Sequence, residues 1–151
     1  MSSRAVEIKD LLVAAGVGTF NYQGNDPNIW SIVVGKRPDK PNRCIVCYDS
    51  GGLSPNPRWL VDYPRVQVIV RGGPNDYAAL AGGAGTSGKV DDVVNALLGI
   101  DSQVINGDNW VSVTLVGDRN FIGYESNDRP MFSLNFQLII NPATGTHRES
   151  C

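Results

Sequence analysis

The chain has 151 residues, 42% of them hydrophobic, and a formal net charge of −2 at pH 7. This length suits a single domain, which we assign to residues 1–151 with 142–151 as a C-terminal tail. The slight negative charge argues against a protein whose main task is to bind phosphates. No apolar run approaches the roughly 20 residues that cross a membrane, and residues 1–4 contain no secretory apolar segment. We therefore expect a protein that is made in a cytoplasm and has no membrane partner.

The N-terminal residues 3–15 are predicted to form an amphipathic helix. Its apolar residues recur at helical spacing and share one face: Ala5, Ile8, Leu11, Leu12 and Ala15. Ser2 or Ser3 can cap the start of this helix. Gly16 can end it, because glycine tolerates the left-handed conformation that follows many helices.

Two strands are predicted next, separated by the turn 38–42. Trp30, Ile32 and Val34 would form one face of the first strand, and residues 44–48 would form the second. A short turn rich in proline and polar residues between two strands predicts an antiparallel hairpin.

Cys44 and Cys47 have the C-x-x-C spacing of zinc and redox sites. Within a strand, however, side chains three residues apart point to opposite faces. A zinc site would also need a second pair of ligands, and the only histidine, His147, stands alone. We therefore expect two packing thiols and no metal.

The segment 48–64, Tyr-Asp-Ser-Gly-Gly-Leu-Ser-Pro-Asn-Pro-Arg-Trp-Leu-Val-Asp-Tyr-Pro, is rich in residues that form turns. We predict a long irregular connection in which Asp49 can hydrogen-bond its own backbone. Large apolar residues such as Trp59 and Tyr63 gain from burial. They favour an ordered loop that docks on its own domain or on a partner.

The second half of the chain continues with strand and helix patterns. Alternating valines at 66–70 indicate a half-buried strand, with Arg71 on its polar face. Asn75 or Asp76 can cap a helical turn at 77–81. Apolar residues at helical spacing predict a second helix over 90–98, and clean alternation predicts strands at 111–115 and 132–140.

The order of these elements is helix, three strands, helix, two strands. It predicts an α+β fold, with a mainly antiparallel or mixed sheet of about five strands and two helices packed on one face. The alternating residues of 132–138 should face a common core with the valines of 66–70, because a one-residue slip would expose every aromatic side chain.

Residues 83–89, Gly-Ala-Gly-Thr-Ser-Gly-Lys, match the phosphate-binding pattern G-x-x-x-x-G-K. The match lacks its context, because Val90 replaces the hydroxyl residue that binds magnesium and the preceding segment is helical where a strand is required. We interpret the glycines as an interruption of a helical region or a stripe of small residues within it, and Lys89 as an exposed lysine at a helix start. With a single histidine and no nucleophile motif, we expect no catalytic residues, no cofactor and no enzyme. A P-loop nucleotide-binding enzyme is the less favoured alternative.

The region 44–70 resembles a known protein family. Its first strand, the loop sequence 48–57, Trp59, the Asp-Tyr-Pro triplet and the valine-rich strand are similar to the small minor capsid or tail terminator (tail completion) family of long-tailed bacteriophages. The resemblance extends from the first helix to about Pro142. The sequence departs from the family at 82–88, where a more regular helix is usual.

This resemblance implies a non-enzymatic virion protein that is assembled in the host cytoplasm. It implies a homo-oligomeric ring, of six subunits, at the head-proximal end of the tail tube, where the ring stops tube polymerisation. The implied partners are the tail tube protein and the head–tail connector or adaptor proteins, and phage DNA passes through without specific binding. The alternative within the same class is another neck, connector or tail tube component.

Six residues of the 48–64 segment are assigned to subunit or partner contacts: Leu53, Pro55, Pro57, Arg58, Trp59 and Tyr63. Tryptophan, tyrosine and arginine often anchor interfaces, and prolines lower the entropy cost of holding one loop conformation. The sequence is equally consistent with an alternative in which Trp59 and Tyr63 only pin the loop to its own core.

Overall fold

The computed structural model describes residues 4–24, 26, 29–37, 42–56, 61–74, 76–82, 88–98, 100–105, 108–125 and 128–141; at 50–56, 61–62 and 101–102 it describes the backbone. Over these residues the chain forms three helices and eight strands in a mixed α+β fold. Their order is α1 (Arg4–Ala14), β1 (Thr19–Phe20), β2 (Ser31–Val34), β3 (Cys44–Asn56), β4 (Val61–Arg71), α2 (Tyr77–Ala81), α3 (Lys89–Leu98), β5 (Asp101–Ile105), β6 (Asp108–Leu115), β7 (Asn120–Glu125) and β8 (Arg129–Asn141). The prediction of five strands and two helices is thus approximate.

All eight strands belong to one curled sheet, with the order β1-β2-β3-β4-β8-β6-β5 and with β7 paired to β8. The pairs β1–β2 and β2–β3 are parallel, and all other pairs are antiparallel. β4 pairs along one edge of β8. β6 and β7 therefore both pair with the opposite edge of β8, one after the other along its length. The long strand β8 is therefore the centre of the fold.

The predicted hairpin between the first two strands is wrong. β2 and β3 run parallel, from the pair Ser31↔Cys44 to the pair Val34↔Cys47. Gly35, with φ +83°, lies directly after β2, and its N–H donates to the Cys47 carbonyl at 2.9 Å. Parallel pairing requires the connection 35–43 to return to the starting end of β2. The alternation of apolar and polar residues predicted which side chains face the core, but it carries no information about strand direction.

The predicted irregular connection at 48–64 is also wrong over most of its length. Residues up to Asn56 belong to β3 and residues from Val61 belong to β4, so the segment is the far end of a long antiparallel hairpin. The pairing shifts between Asp49 and Gly52 and again between Leu53 and Asn56. Such bulges disrupt the side-chain alternation while the backbone ladder continues, and this hides the strands from pattern reading. Residues 57–60 lie outside the described residues.

The core agrees with the predicted strand register. Val66, Val68 and Val70 pair directly with Phe136, Leu134 and Phe132, and all six side chains are buried in one cluster. Residues of the helices belong to the same cluster: Ala5, Ile8 and Leu12 of α1, Leu80 of α2, and Val90, Val93, Val94 and Leu97 of α3.

The two ends of α1 show how the sheet positions this helix. At its start, the Asp49 side chain of β3 accepts a hydrogen bond from the Ala5 N–H at 3.0 Å, which places a carboxylate at the positive end of the helix dipole. Asp49 therefore binds a helix rather than its own backbone. At its end, Gly16 has φ +78°, and the Val17 N–H reaches back to the Leu12 carbonyl at 3.1 Å. This is the predicted glycine stop.

Candidate functional site

The predicted interface residues lie on the β3–β4 hairpin where the structure describes them. Leu53 is on β3 and pairs with the half-buried Tyr63 on β4; Pro55 is further along β3. β2 pairs with β3 only as far as Cys47, so the outer edge of β3 from Tyr48 to Asn56 has no strand partner among the described residues. The remaining predicted residues, Pro57, Arg58 and Trp59, lie outside the described part of the chain.

The lysine of the phosphate-binding pattern points into the protein. Lys89 is the first residue of α3, its side chain is only 17% exposed, and its Nζ donates to the Val17 carbonyl at 2.9 Å. The same ammonium lies 5.3 Å from the centre of the Trp30 ring. Burial lowers the Lys89 pKa. The expectation of an exposed lysine is therefore wrong, because a contact between residues far apart in sequence leaves no local pattern.

Gly88, the last glycine of the same pattern, serves helix packing. A methyl group at this position would lie 2.2 Å from the Leu80 carbonyl oxygen and 2.5 Å from the Gly82 nitrogen. The end of α2 and the start of α3 therefore touch at Gly88, and only a residue without a side chain fits there. Residues 83–87 lie outside the described residues.

The two cysteines behave as predicted for packing thiols. Cys47 pairs with Val68 and belongs to the core cluster, whereas Cys44 pairs with Arg71 on the opposite face of the sheet. Burial raises the pKa of Cys44 to about 11 and that of Cys47 to about 12. Both therefore stay protonated at neutral pH, and protonated thiols are poor nucleophiles and poor metal ligands. Among the described residues, no group of three metal-binding side chains exists.

An arginine cluster on the face opposite the core was missed by the sequence analysis. The Glu125 carboxylate accepts from Arg129 at 2.8 Å and pairs with Arg37 at 3.1 Å and with Arg71 at 3.3 Å. The Arg71 and Arg129 side chains are buried, so the expectation of a polar solvent face at Arg71 is wrong. These contacts join β4, β7 and β8 to the segment after β2, and buried charges with such partners are costly to separate.

An exposed aromatic patch is the most unusual surface feature on β7. We define the aromatic patch as Tyr77, Phe121 and Tyr124. The Phe121 ring lies 5.2 Å from that of Tyr77 and 5.4 Å from that of Tyr124, and it rests on the buried Phe132. A bulge between Phe121 and Gly123, where φ is +110°, places residues 121 and 124 on one face although three positions separate them.

A second exposed apolar surface lies at the other end of the sheet, between α1 and the first two strands. It is a groove of about 330 Å³, which we call the β1 groove, lined by Val6, Lys9, Phe20, Asn21, Val33 and Val34. The Phe20 side chain is 52% exposed, and the Lys9 ammonium lies 4.3 Å from the centre of its ring. The two-residue strand β1 gave no periodic signal, so the sequence analysis missed this surface.

Exposed apolar surfaces of this kind usually mark contacts with other proteins. Such surfaces at two separate places on the sheet of a small α+β domain are typical of proteins that assemble with other proteins. A family model described as bacteriophage tail terminator protein matches residues 11–142. The chain therefore belongs to the bacteriophage tail terminator family, as the resemblance of the 44–70 region predicted.

Members of this family are structural components of the phage virion, so the chain interacts with other tail and head proteins. A search of curated proteins gave no match. In the part of the chain that the structure describes, no helix combines the length and the apolar character needed to cross a membrane.

Proposed function

We propose that this tail terminator closes into a ring of six subunits on the head-proximal end of the tail tube. The ring stops tube polymerisation and offers a surface to the head–tail connector. Family membership over residues 11–142 is the observation that carries this proposal. A ring needs two different contact surfaces on each subunit, and the exposed aromatic patch and the β1 groove are two different apolar surfaces on one chain.

In this ring each subunit acts as one domain over 1–151, with 142–151 as a tail, and α1 and α3 cover one face of the sheet. The subunits assemble in the host cytoplasm. The chain has a net charge of −2. Phage DNA passes through the ring without specific binding, because a negatively charged subunit does not attract the phosphate backbone.

The end of the β3–β4 hairpin contacts a neighbouring subunit, the tail tube protein or the connector. The residues that make this contact are Leu53, Pro55, Pro57, Arg58, Trp59 and Tyr63. Support comes from the outer edge of β3, which pairs with no other strand in the described part of the chain, and from the residue types, since aromatic and arginine side chains often dominate binding energy.

The Trp59→Ala variant separates an interface role from a packing role. An interface role predicts a folded protein with normal melting temperature that no longer joins tails to heads. Packing into its own core predicts a loss of about 3–5 kcal/mol in stability. Trp110→Ala is the matched control for that loss, because Trp110 is fully buried. A Trp59→Ala protein that melts normally and still yields infectious particles would contradict both roles.

The ring itself is tested by stoichiometry. We expect six copies of this protein in each purified tail, counted by quantitative mass spectrometry, and a closed ring at the tail end in electron micrographs. Light scattering at several concentrations shows whether the ring also forms without the tube. Phage with an interrupted gene should produce tails of abnormal length that are not joined to heads. A single copy per tail, or an open filament, would contradict the proposal.

A further inference from the structure

We infer that neighbouring copies in the ring meet through two specific surfaces: the aromatic patch of one copy packs into the β1 groove of the next. This inference rests on the proposed ring and names its subunit contact. It commits to a second copy of this chain as the occupant of both surfaces.

The size of the aromatic patch suits the centre of a protein interface. Tyr77 is 44% exposed, Phe121 38% and Tyr124 60%, which leaves about 300 Å² of aromatic surface in water. A stable interface buries about 800 Å² on each partner. The patch therefore supplies roughly a third of the required area, and the largest apolar patch on a protein surface, typically about 300–600 Å², is often functional.

The strand edge beside the patch can extend this contact. Among the described residues β7 pairs only with β8, so the N–H and C=O groups of its outer edge face no other strand. Six residues of strand give an edge of about 20 Å. Within the described ranges, β1 is likewise paired on one side, with β2. Unpaired edges that carry apolar side chains favour association with another chain.

The positions of the two surfaces favour a ring over a simple pair. β1 is the first strand of the sheet, and β7 lies beyond β8, with β2, β3, β4 and β8 between them. Five strand spacings of about 4.8 Å separate the two edges by roughly 24 Å along the sheet. A contact between two different surfaces is head-to-tail, and repetition of such a contact closes into a ring when the rotation fits.

The two surfaces also complement each other electrostatically. The β1 groove contains the Lys9 ammonium 4.3 Å from the Phe20 ring, whereas the patch presents aromatic faces. The Lys9 ammonium also pairs with the Asp10 carboxylate at 2.5 Å. The face of an aromatic ring is negative and attracts cations, so a tyrosine ring that enters the groove would add a second aromatic contact to Lys9. Two copies of the patch would offer each other no cation. Patch against groove is therefore favoured over patch against patch.

Site-directed cross-linking in assembled tails tests this contact. Phe20→Cys and Tyr124→Cys are combined in one full-length chain that also carries Cys151→Ser, since Cys44 and Cys47 are buried. Phage tails made with this chain are treated with a short bis-maleimide. We expect the monomer band to be replaced by a ladder of cross-linked oligomers whose largest member is the closed ring. Each single variant should remain monomeric, because a head-to-tail contact keeps like residues of different copies apart.

Three results would overturn the inference: no ladder in tails that contain six copies, cross-linked pairs from either single variant, or a cross-link from Tyr124→Cys to a different tail protein. The pair Thr19→Cys and Asn120→Cys, at two other exposed positions on the same strands, replaces the first pair if that chain does not enter tails. Tails that contain six copies but give no ladder would contradict only this subunit contact and not the proposed ring. A single copy per tail would overturn both the contact and the proposed ring.

Discussion

The Lys89→Met variant distinguishes a structural role of Lys89 from a phosphate-binding role. In the structure the Lys89 ammonium donates to the Val17 carbonyl just after α1 and lies near the Trp30 ring. Methionine keeps the apolar stem of the side chain but cannot donate to that carbonyl. The variant therefore removes one tertiary hydrogen bond between α3 and the end of α1, together with the 3.8 Å ion pair between Lys89 and the exposed Asp92, with little loss of packing.

A buried acceptor that loses its donor costs about 1–3 kcal/mol. Lys89 and Val17 line an open groove of about 340 Å³, so water can reach the freed oxygen, and we expect the lower part of this range. A loss of about 1–2 kcal/mol lowers the melting temperature of a domain of this size by roughly 2–8 °C.

Urea unfolding measures this loss as a lower midpoint with an unchanged slope. Lys36→Met is the matched control, because Lys36 is exposed, and its stability should change by less than about 0.5 kcal/mol. Calorimetric titration of the unmodified protein with ATP and GTP should show no saturable binding, and the Lys89→Met variant should give the same result. If Lys89→Met left stability unchanged and abolished measurable nucleotide binding, the structural role would be refuted and the P-loop alternative would return.

Three further predictions concern packing and charge. Gly88→Ala should cost at least about 1–3 kcal/mol, because the added methyl group would overlap the Leu80 carbonyl oxygen; an unchanged urea midpoint would contradict the helix contact. Arg119 donates to Asp91 and lowers its pKa below the ordinary 3.8, so ionised Asp91 stabilises the fold above that value and the contribution is lost as pH falls through the folded pKa. Asp91→Asn should therefore flatten the loss of stability between about pH 5 and pH 2, and an unchanged pH profile would contradict the ion pair. Phe136→Ala should cost about 3–5 kcal/mol in thermal unfolding, and a loss below about 1 kcal/mol would contradict its buried position opposite Val66.

The sequence by itself determined the elements whose signal is local. The 3.6-residue spacing of Ile8 and Leu12 predicted α1, and Gly16 predicted its end, because a helix is built from contacts within a few residues. The alternation of apolar and polar residues predicted the buried faces of β4 and β8 and the common core that they share. The 44–70 region also carried enough of the family resemblance to predict membership of the tail terminator family.

The tertiary structure alone decided strand direction and the partners of polar side chains. Two strands can form a ladder of backbone hydrogen bonds in either direction, so no side-chain pattern predicted the parallel pairing of β2 and β3. Lys89 reaches a carbonyl 72 positions away, and Glu125 gathers arginines from three separate segments. The bulge at Gly123 likewise turns Tyr124 toward Phe121 only once β7 pairs with β8. These features depend on which distant segments meet, and that choice is made by the packing of the whole chain rather than by any short stretch of it.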